Sequence, residues 1–435
     1  MNEGVATQNK PFPYQELSAT LQVSFSQVYH ITSINHNSSP IMSETRNIAI
    51  LGANFAGLSA AHYIIKHTFP QLAKTDDAKY VLHIINESTH FWWHIGAPRE
   101  LVSVKDAPHD KYFKPIMDGF KQYPEFQDSI VFHHASATGI DVTTRTVTYT
   151  GGDRSDVLPY YALVIATGVR SPTPVTTLHG DHNISIKALE DMNTRLASAT
   201  EIIIGGGGPI AVETAGEIGA HLQGKARITL VAGGEKLLPA LRKALAEKAQ
   251  SQLESVGVTV LYNTKVTNST DTSDGKTEVH LSSGKSMTAD VYIPAVGVTP
   301  STSYVPDSLK RPDGYIDTNP TTLRVDAAGP RVYAVGDVAK VDKGGVLNLY
   351  SAIPVFGANF AHDVLSDAGV ASVPAERVYK RNDGETQLVP VGPKAGVGAF
   401  NGWKLPSFAV SFAKGKDYMV GQIPTIWEGK KFAKA

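Results

Sequence analysis

With 435 residues, 42% hydrophobic content and 38 glycines, the chain has the length for about three domains of ~150 residues and the turn content of an α/β protein. A formal net charge of −1 provides no global field to gather nucleic acid, and no window approaches the ~18 uninterrupted apolar residues that span a bilayer. Cysteine is absent, which excludes disulfide scaffolds, thiolate zinc sites, iron–sulfur clusters and CxxC relays, so any electrons the protein moves travel on a bound organic cofactor.

Residues 1–45 are rich in Ser, Thr, Gln and Asn, hold no arginine and keep no period, so a disordered or non-native extension is expected there. Glu3 and Glu16 work against a secretory or mitochondrial presequence. Met42 opens MSETRNIAILG, which reads as a natural start, and residues 1–41 are expected to be absent from the native protein.

The segment Asn47 to His62, NIAILGANFAGLSAAH, reads as an apolar strand, a tight glycine turn and the start of a helix. Such a unit turns unpaired backbone N–H groups and the positive end of a helix dipole toward a ligand, which suits a pyrophosphate. Gly52, Asn54 and Gly57 give GxGxxG with its middle glycine replaced, and Phe55 and Ala56 open the helix. The Cβ of Asn54 is expected to crowd the phosphate, so Asn54→Gly is expected to tighten binding. Tyr80 to Glu87, YVLHIINE, reads as the next parallel strand. Its end, at Asn86 and Glu87, is where dinucleotide folds place an acceptor for the adenosine ribose.

A repeated plan follows. Residues 130–168 run IVFHHASATGIDVTTRTVTYTGG and then LPYYALVIATG; residues 256–297 run VGVTVLYNTKVTNSTD and then TEVHLSSGKSMTADVYIPAVG. Each copy has short alternating strands, a glycine turn and an apolar strand ending in small residue, x, Gly: Ala166, Thr167 and Gly168 in one, Gly297 in the other. The second copy also follows a glycine turn, EIIIGGGGPIAVETAGE, in which Gly206, Gly208 and Ala211 satisfy GxGxxG/A around Pro209. An internal duplication with two nucleotide-binding units explains the pattern. Glu213 and Glu217 share one face of the helix that follows. The strand ITLVAGG ends at Ala232 and Gly233 without an acid, and the nearest charges are Glu235 and Lys236, so the choice between NADH and NADPH is not readable.

Further on, TTLRVDAAGPRVYAVGDV ends an apolar strand at Gly336 and Asp337, where a carboxylate can accept from a ribityl hydroxyl and a glycine lets backbone approach phosphate. Ser351 to Asp367 reads as a helix entered near Pro354, its N-terminus facing a flavin ring. From Pro374 onward VYKRND and QLVPVG read as strands of a small α+β domain that includes LPSFAVSFAKGKDYMVG. Gly284, Lys285 and Ser286 imitate the end of a P-loop, but Val279 stands where its first glycine belongs. No metal site is read.

These stretches, with NESTHFWWHIGAPRELV and LVPVGPKAGVGAFNG, resemble the two-dinucleotide-binding-domain flavoproteins, a group that includes type II NADH dehydrogenases. Within it the likeness is to the AMID-like, ferroptosis-suppressor branch of the apoptosis-inducing-factor family, over roughly residues 46–430. The resemblance implies an α/β fold of two Rossmann-like domains, the second inserted in the first. FAD binding would occupy 46–178 and 301–367, NAD(P)H binding 179–300, and a C-terminal domain 368–435. It implies FAD at Gly52, Gly57, Asn86, Arg99 and Asp337, with Thr167, Gly168 and Gly297 at strand ends, and NAD(P)H at Gly206, Gly208 and Glu213. The implied reaction is hydride transfer from NAD(P)H to flavin and then reduction of a quinone-type acceptor. Trp92, Trp93, Phe356 and Phe360 offer either a flat apolar surface for that acceptor or core packing, and His94 is a candidate proton donor.

Two rival readings stand beside this one: a reductase of a small electron-carrier protein, and a non-enzymatic redox sensor. The expected location is cytoplasmic. The tail with Trp427, Lys430, Lys431 and Phe432 permits peripheral contact with a membrane such as the mitochondrial or lipid-droplet surface, and the C-terminal domain of such proteins often forms homodimers.

Overall fold

Two sheets of parallel strands, each following a glycine turn, carry the molecule. The computed structural model describes residues 44–75 and 77–433, so the expectations for the N-terminal extension lie, up to residue 43, outside the described residues. The first sheet has the order Val332–Ala334, Ala162–Ile165, Glu44–Leu51, Ala78–Asn86, Ile130–His134, with every pairing parallel. Its central strands are continuous apolar runs because both faces are covered: Ile48, Ala49, Ile50 and Leu51 are all buried. The second sheet has the order Val258–Leu261, Arg227–Val231, Glu201–Gly205, Val291–Pro294, again all parallel.

The repeat read in the sequence is a repeat of structure. Each half carries a three-stranded antiparallel sheet ahead of its last apolar strand: Ser136–Asp141, Thr146–Gly151 and Arg154–Pro159 in one, Val266–Asp271, Thr277–Leu281 and Ser286–Ala289 in the other. The strand that completes the first sheet, Val332–Ala334, comes only after the second sheet is finished, so the second unit is an insertion in the first. The chain leaves and returns through a short antiparallel ribbon, Val169–Arg170 against Thr299–Pro300.

Two local expectations are corrected, at Pro354 and VYKRND. The helix expected to enter near Pro354 runs Val346–Asp367, with Pro354 in its interior. Its start is set by Gly344 and Gly345, whose positive φ angles of 74° and 87° make the turn that aims it. The segment VYKRND is irregular rather than a strand, tied down by Tyr379, whose N–H donates to Thr321 O and whose hydroxyl donates to Asp342. SFAVSFAKG is helical, as the turn Ser407–Val410 continued by a π turn over Ser411–Gly415.

The C-terminal tail packs on the first helix, Phe55–Tyr63, and the turn beyond it. His62 Nε2 meets Trp427 O at 2.9 Å, Lys66 Nζ donates to Gly429 O at 2.6 Å and His67 Nε2 meets Phe432 O at 2.8 Å. Burial lowers the His62 pKa to about 3, so the ring is neutral and serves only as a hydrogen-bonding strut. Phe432 is buried and the Trp427 indole donates to Pro115 O, so these two aromatics are structural. The strongly exposed aromatics lie earlier, at Trp403, Phe408 and Phe412. Among the described residues no helix is long and apolar enough to cross a membrane.

Candidate functional site

Both glycine turns open on one cavity of about 1220 Å³. At the first turn Gly52 takes φ +92°, and a Cβ there would stand 2.6 Å from Ala166 O. Gly57 serves the same turn from beneath: its Cβ would meet Gly52 O at 1.8 Å, so glycine lets the helix close onto the loop. Phe55, Ala56 and Ala166 line the cavity beside Gly52; Gly57 is buried behind them.

Asn54 also lines the cavity, at φ −103° and ψ −144°, just ahead of the helix Phe55–Tyr63. Its Oδ1 accepts from Trp92 N at 3.3 Å, which ties the turn to the strand His90–Trp92. Asn86 is similarly employed: its Oδ1 accepts from Ala53 N at 2.8 Å and its Nδ2 donates to Ser88 O at 2.6 Å. The amide therefore shapes the turn, and the neighbouring Glu87 presents the carboxylate to the cavity. Arg170 Nη2 donates to Glu87 Oε2 at 3.0 Å. Arg170, which the sequence reading passed over, sits on the ribbon between the two units and also lines the cavity.

The opposite wall comes from the end of Val332–Ala334. Gly336, at φ +77°, lies so close to the first helix that a Cβ would come within 2.5 Å of Ala56 Cβ. Asp337 follows, its Oδ1 accepting from Gly345 N at 3.3 Å. Burial pushes its carboxyl above the usual range, and the Gly345 N–H works in the opposite direction. Asp337 is open to the cavity, and a carboxylate there with a single long backbone donor has lone pairs left for hydroxyl groups of a guest.

The second turn repeats the device. Gly206 takes φ +130° with its Cβ position 2.2 Å from Ala295 O, and Pro209 occupies the first turn of the helix Pro209–Leu222. Gly206, Gly208 and Pro209 line the cavity, while Ala211 is buried under the turn. Gly168, Gly208, Gly297 and Gly345 all line it with no atom within 4 Å of where a Cβ would stand, so bare backbone faces the space. Thr167 lines it too and is oriented by its hydroxyl, which donates to Ser301 O at 2.8 Å. Peptide N–H groups at two helix starts, with the Asp337 carboxylate opening on the cavity between, fit two dinucleotides.

Several expected site residues lie elsewhere. Arg99 does not line the cavity; its guanidinium grips Glu217 and the carbonyls of Gly415 and Lys416. Glu213 is buried on the far face of its helix, where Lys414 Nζ donates to it at 2.5 Å; burial raises its pKa, against the pull of Lys414. Trp92, Trp93, Phe356 and Phe360 are all core residues, with the two indoles donating to Glu100 and to Tyr418 O. Pro354 is off the cavity. His94 does line it. Burial lowers its pKa to about 4 and leaves Nδ1 without a partner, so the imidazole is neutral.

A fold in which one dinucleotide unit is inserted into another, each presenting its turn to a shared cleft, is that of the FAD-dependent pyridine-nucleotide oxidoreductases, which bind FAD and NAD(P)H. Residues 46–354 match the pyridine nucleotide-disulphide oxidoreductase family, and the chain belongs to it. The chain is 38% identical to oxidoreductase phnG of Penicillium herquei over 410 residues, covering 89% of this chain and 97% of that one. It is 26% identical to ferroptosis suppressor protein 1 of Xenopus tropicalis over 398 residues, covering 87% and 95%. The sulfide:quinone oxidoreductase of Aquifex aeolicus shares the fold, with a TM-score of 0.59 at 14% identity over 74% of this chain and 78% of that one.

Proposed function

We propose that the protein oxidises NAD(P)H and passes the two electrons, by way of FAD, to a quinone-type acceptor. The observation that carries this reading is that both glycine turns open on one cavity in a chain without cysteine. With no thiol to relay electrons, an acceptor must meet the reduced cofactor directly at the cavity.

FAD supplies the two-electron relay when bound. The chain's part is to hold and orient. The N–H groups of Asn54 and Phe55, beyond the Ala53 N–H that Asn86 engages, would face one pyrophosphate and those after Gly206 the other. Asp337 accepts from ribityl hydroxyls, and Glu87, steadied by Arg170, accepts from the adenosine ribose. Phe55, Ile95, Leu349 and Ala352 line the cavity and give a flat acceptor an apolar wall. The balance is NAD(P)H + H⁺ + quinone giving NAD(P)⁺ + quinol, so one proton beyond the hydride comes from solvent. His94, being neutral, can orient an acceptor through its ring but holds no extra proton to give.

The test is anaerobic reduction of the FAD-loaded protein by NADH and by NADPH, followed by reoxidation with soluble quinones or with ferredoxin-like proteins. Bleaching by a nucleotide and recovery by quinone over many turnovers is expected. Recovery only by a carrier protein would replace the quinone reading, and reduction without turnover would favour a redox sensor. A carrier-protein reductase would need a basic docking patch, whereas Lys414 is engaged by Glu213 and Lys430 by Glu428.

A further inference from the structure

The coenzyme left open by the sequence is marked by a side chain from a distant strand. In a dinucleotide unit the end of the second strand meets the adenosine ribose, where a carboxylate selects the 2′-hydroxyl of NADH and a cation accommodates the 2′-phosphate of NADPH. Here that strand, Arg227–Val231, continues into Ala232, Gly233 and Gly234, with no carboxylate. Lys265, immediately before the strand Val266–Asp271, fills the place. Its Cγ lies 2.8 Å from where a Cβ on residue 233 would stand, so glycine there lets the lysine stem lie close across the strand end.

Lys265 and Gly233 both line the cavity that holds the second glycine turn. The lysine backbone is pinned on both sides by Ser282: Lys265 N donates to Ser282 Oγ at 3.0 Å and Ser282 N donates to Lys265 O at 2.8 Å. Its ammonium has no hydrogen-bond or ion-pair partner among the described residues. The two charges nearest in sequence to the strand end do not compete. Lys236 Nζ is committed to Leu241 O at 2.5 Å, and Glu235 is exposed and does not line the cavity. A pinned backbone, a free ammonium and the missing acid all favour an anion at the ribose 2′ position.

We infer that Lys265 makes the second nucleotide site selective for NADPH over NADH by pairing with the 2′-phosphate. The inference rests on the proposed placement of the nicotinamide nucleotide at the second turn. It is tested by measuring NADP⁺ and NAD⁺ binding to the FAD-loaded protein by calorimetry, with 2′,5′-ADP as a probe that lacks the nicotinamide. A single charge-assisted contact predicts NADP⁺ binding about tenfold or more tighter than NAD⁺. Lys265→Ala should abolish that difference and weaken 2′,5′-ADP while leaving NAD⁺ binding and the thermal midpoint unchanged. Lys265→Arg should keep it, and added salt should narrow it. Equal affinities, tighter NAD⁺, or an equal loss of both nucleotides in Lys265→Ala would overturn the assignment to Lys265 while leaving NAD(P)H oxidation intact. Failure of either nucleotide to bind or to bleach the flavin would overturn the functional reading itself.

Discussion

Arg99 and Glu217 meet in a two-point ion pair, Nε to Oε2 at 3.0 Å and Nη2 to Oε1 at 2.8 Å, with both side chains largely buried. Arg99 follows the strand packed on the first glycine turn, and Glu217 belongs to the helix of the second. Gly415 O, Lys416 O and the Tyr418 hydroxyl bring in the C-terminal segment. Arg99→Met strands the Glu217 carboxylate in a buried setting and should cost about 3–5 kcal/mol. The joint variant Arg99→Met, Glu217→Met should recover much of that loss. Chemical denaturation measures both, and FAD content per folded molecule should be unchanged, which separates this role from one in cofactor binding.

Glu100 gives stability a pH dependence. Burial pushes its carboxyl up to about 7, outweighing the His109 ring 3.7 Å away and the Trp92 indole that donates at 2.9 Å. Between about pH 4.5 and 7 the folded carboxyl keeps a proton that the unfolded chain has lost, so this group's contribution to stability falls as pH rises through this window and levels off above it. It works against the opposite slope from His62 and His94, whose lowered pKa values favour the folded state as pH rises. The span of the Glu100 contribution corresponds to about 3 kcal/mol. Glu100→Gln should remove it, so the difference in thermal midpoint between variant and parent should change across this window and hold constant above it.

Gly336→Ala should both destabilise the protein and release FAD. Its Cβ would stand 2.5 Å from Ala56 Cβ at a positive φ, a cost of about 3 kcal/mol from overpacking and backbone strain together. Adding Ala56→Gly removes the clash but not the strain, so flavin absorbance retained after gel filtration should recover only in part.

Asn54→Gly should have two opposed effects. Loss of the Cβ widens the wall and is expected to tighten FAD, whereas loss of Oδ1 leaves Trp92 N without its acceptor and should cost about 1 kcal/mol in the FAD-free protein. Separate measurements of FAD dissociation and of the apoprotein's denaturation midpoint resolve the two.

The parallel sheets and both glycine turns were legible because strands covered on two faces must be continuous apolar runs, and because few residues other than glycine tolerate the backbone at Gly52 and Gly206. Arg99 and Glu213 were misplaced, and Trp92 and Trp93 were left between acceptor surface and core, because a charged or aromatic side chain carries no mark of which neighbour it faces. Arg99 finds its partner 118 residues later, and Glu213 finds Lys414 201 residues later. Lys265 was hidden for the same reason, since its relation to Gly233 exists only once the parallel strand Val258–Leu261 carries the chain to the same sheet end. Pro354 suggested a helix start because proline favours the first turn. The Gly344–Gly345 turn places that start eight residues earlier, at Val346.

The bonds from His62, Lys66 and His67 to the carbonyls of Trp427, Gly429 and Phe432 also set an order of manufacture. The first helix is made well before these partners, which lie 365, 363 and 365 residues further along the chain. The inserted second sheet, drawn entirely from residues 201–294, lies between them and can fold while translation continues. The unit begun first is thus the one finished last.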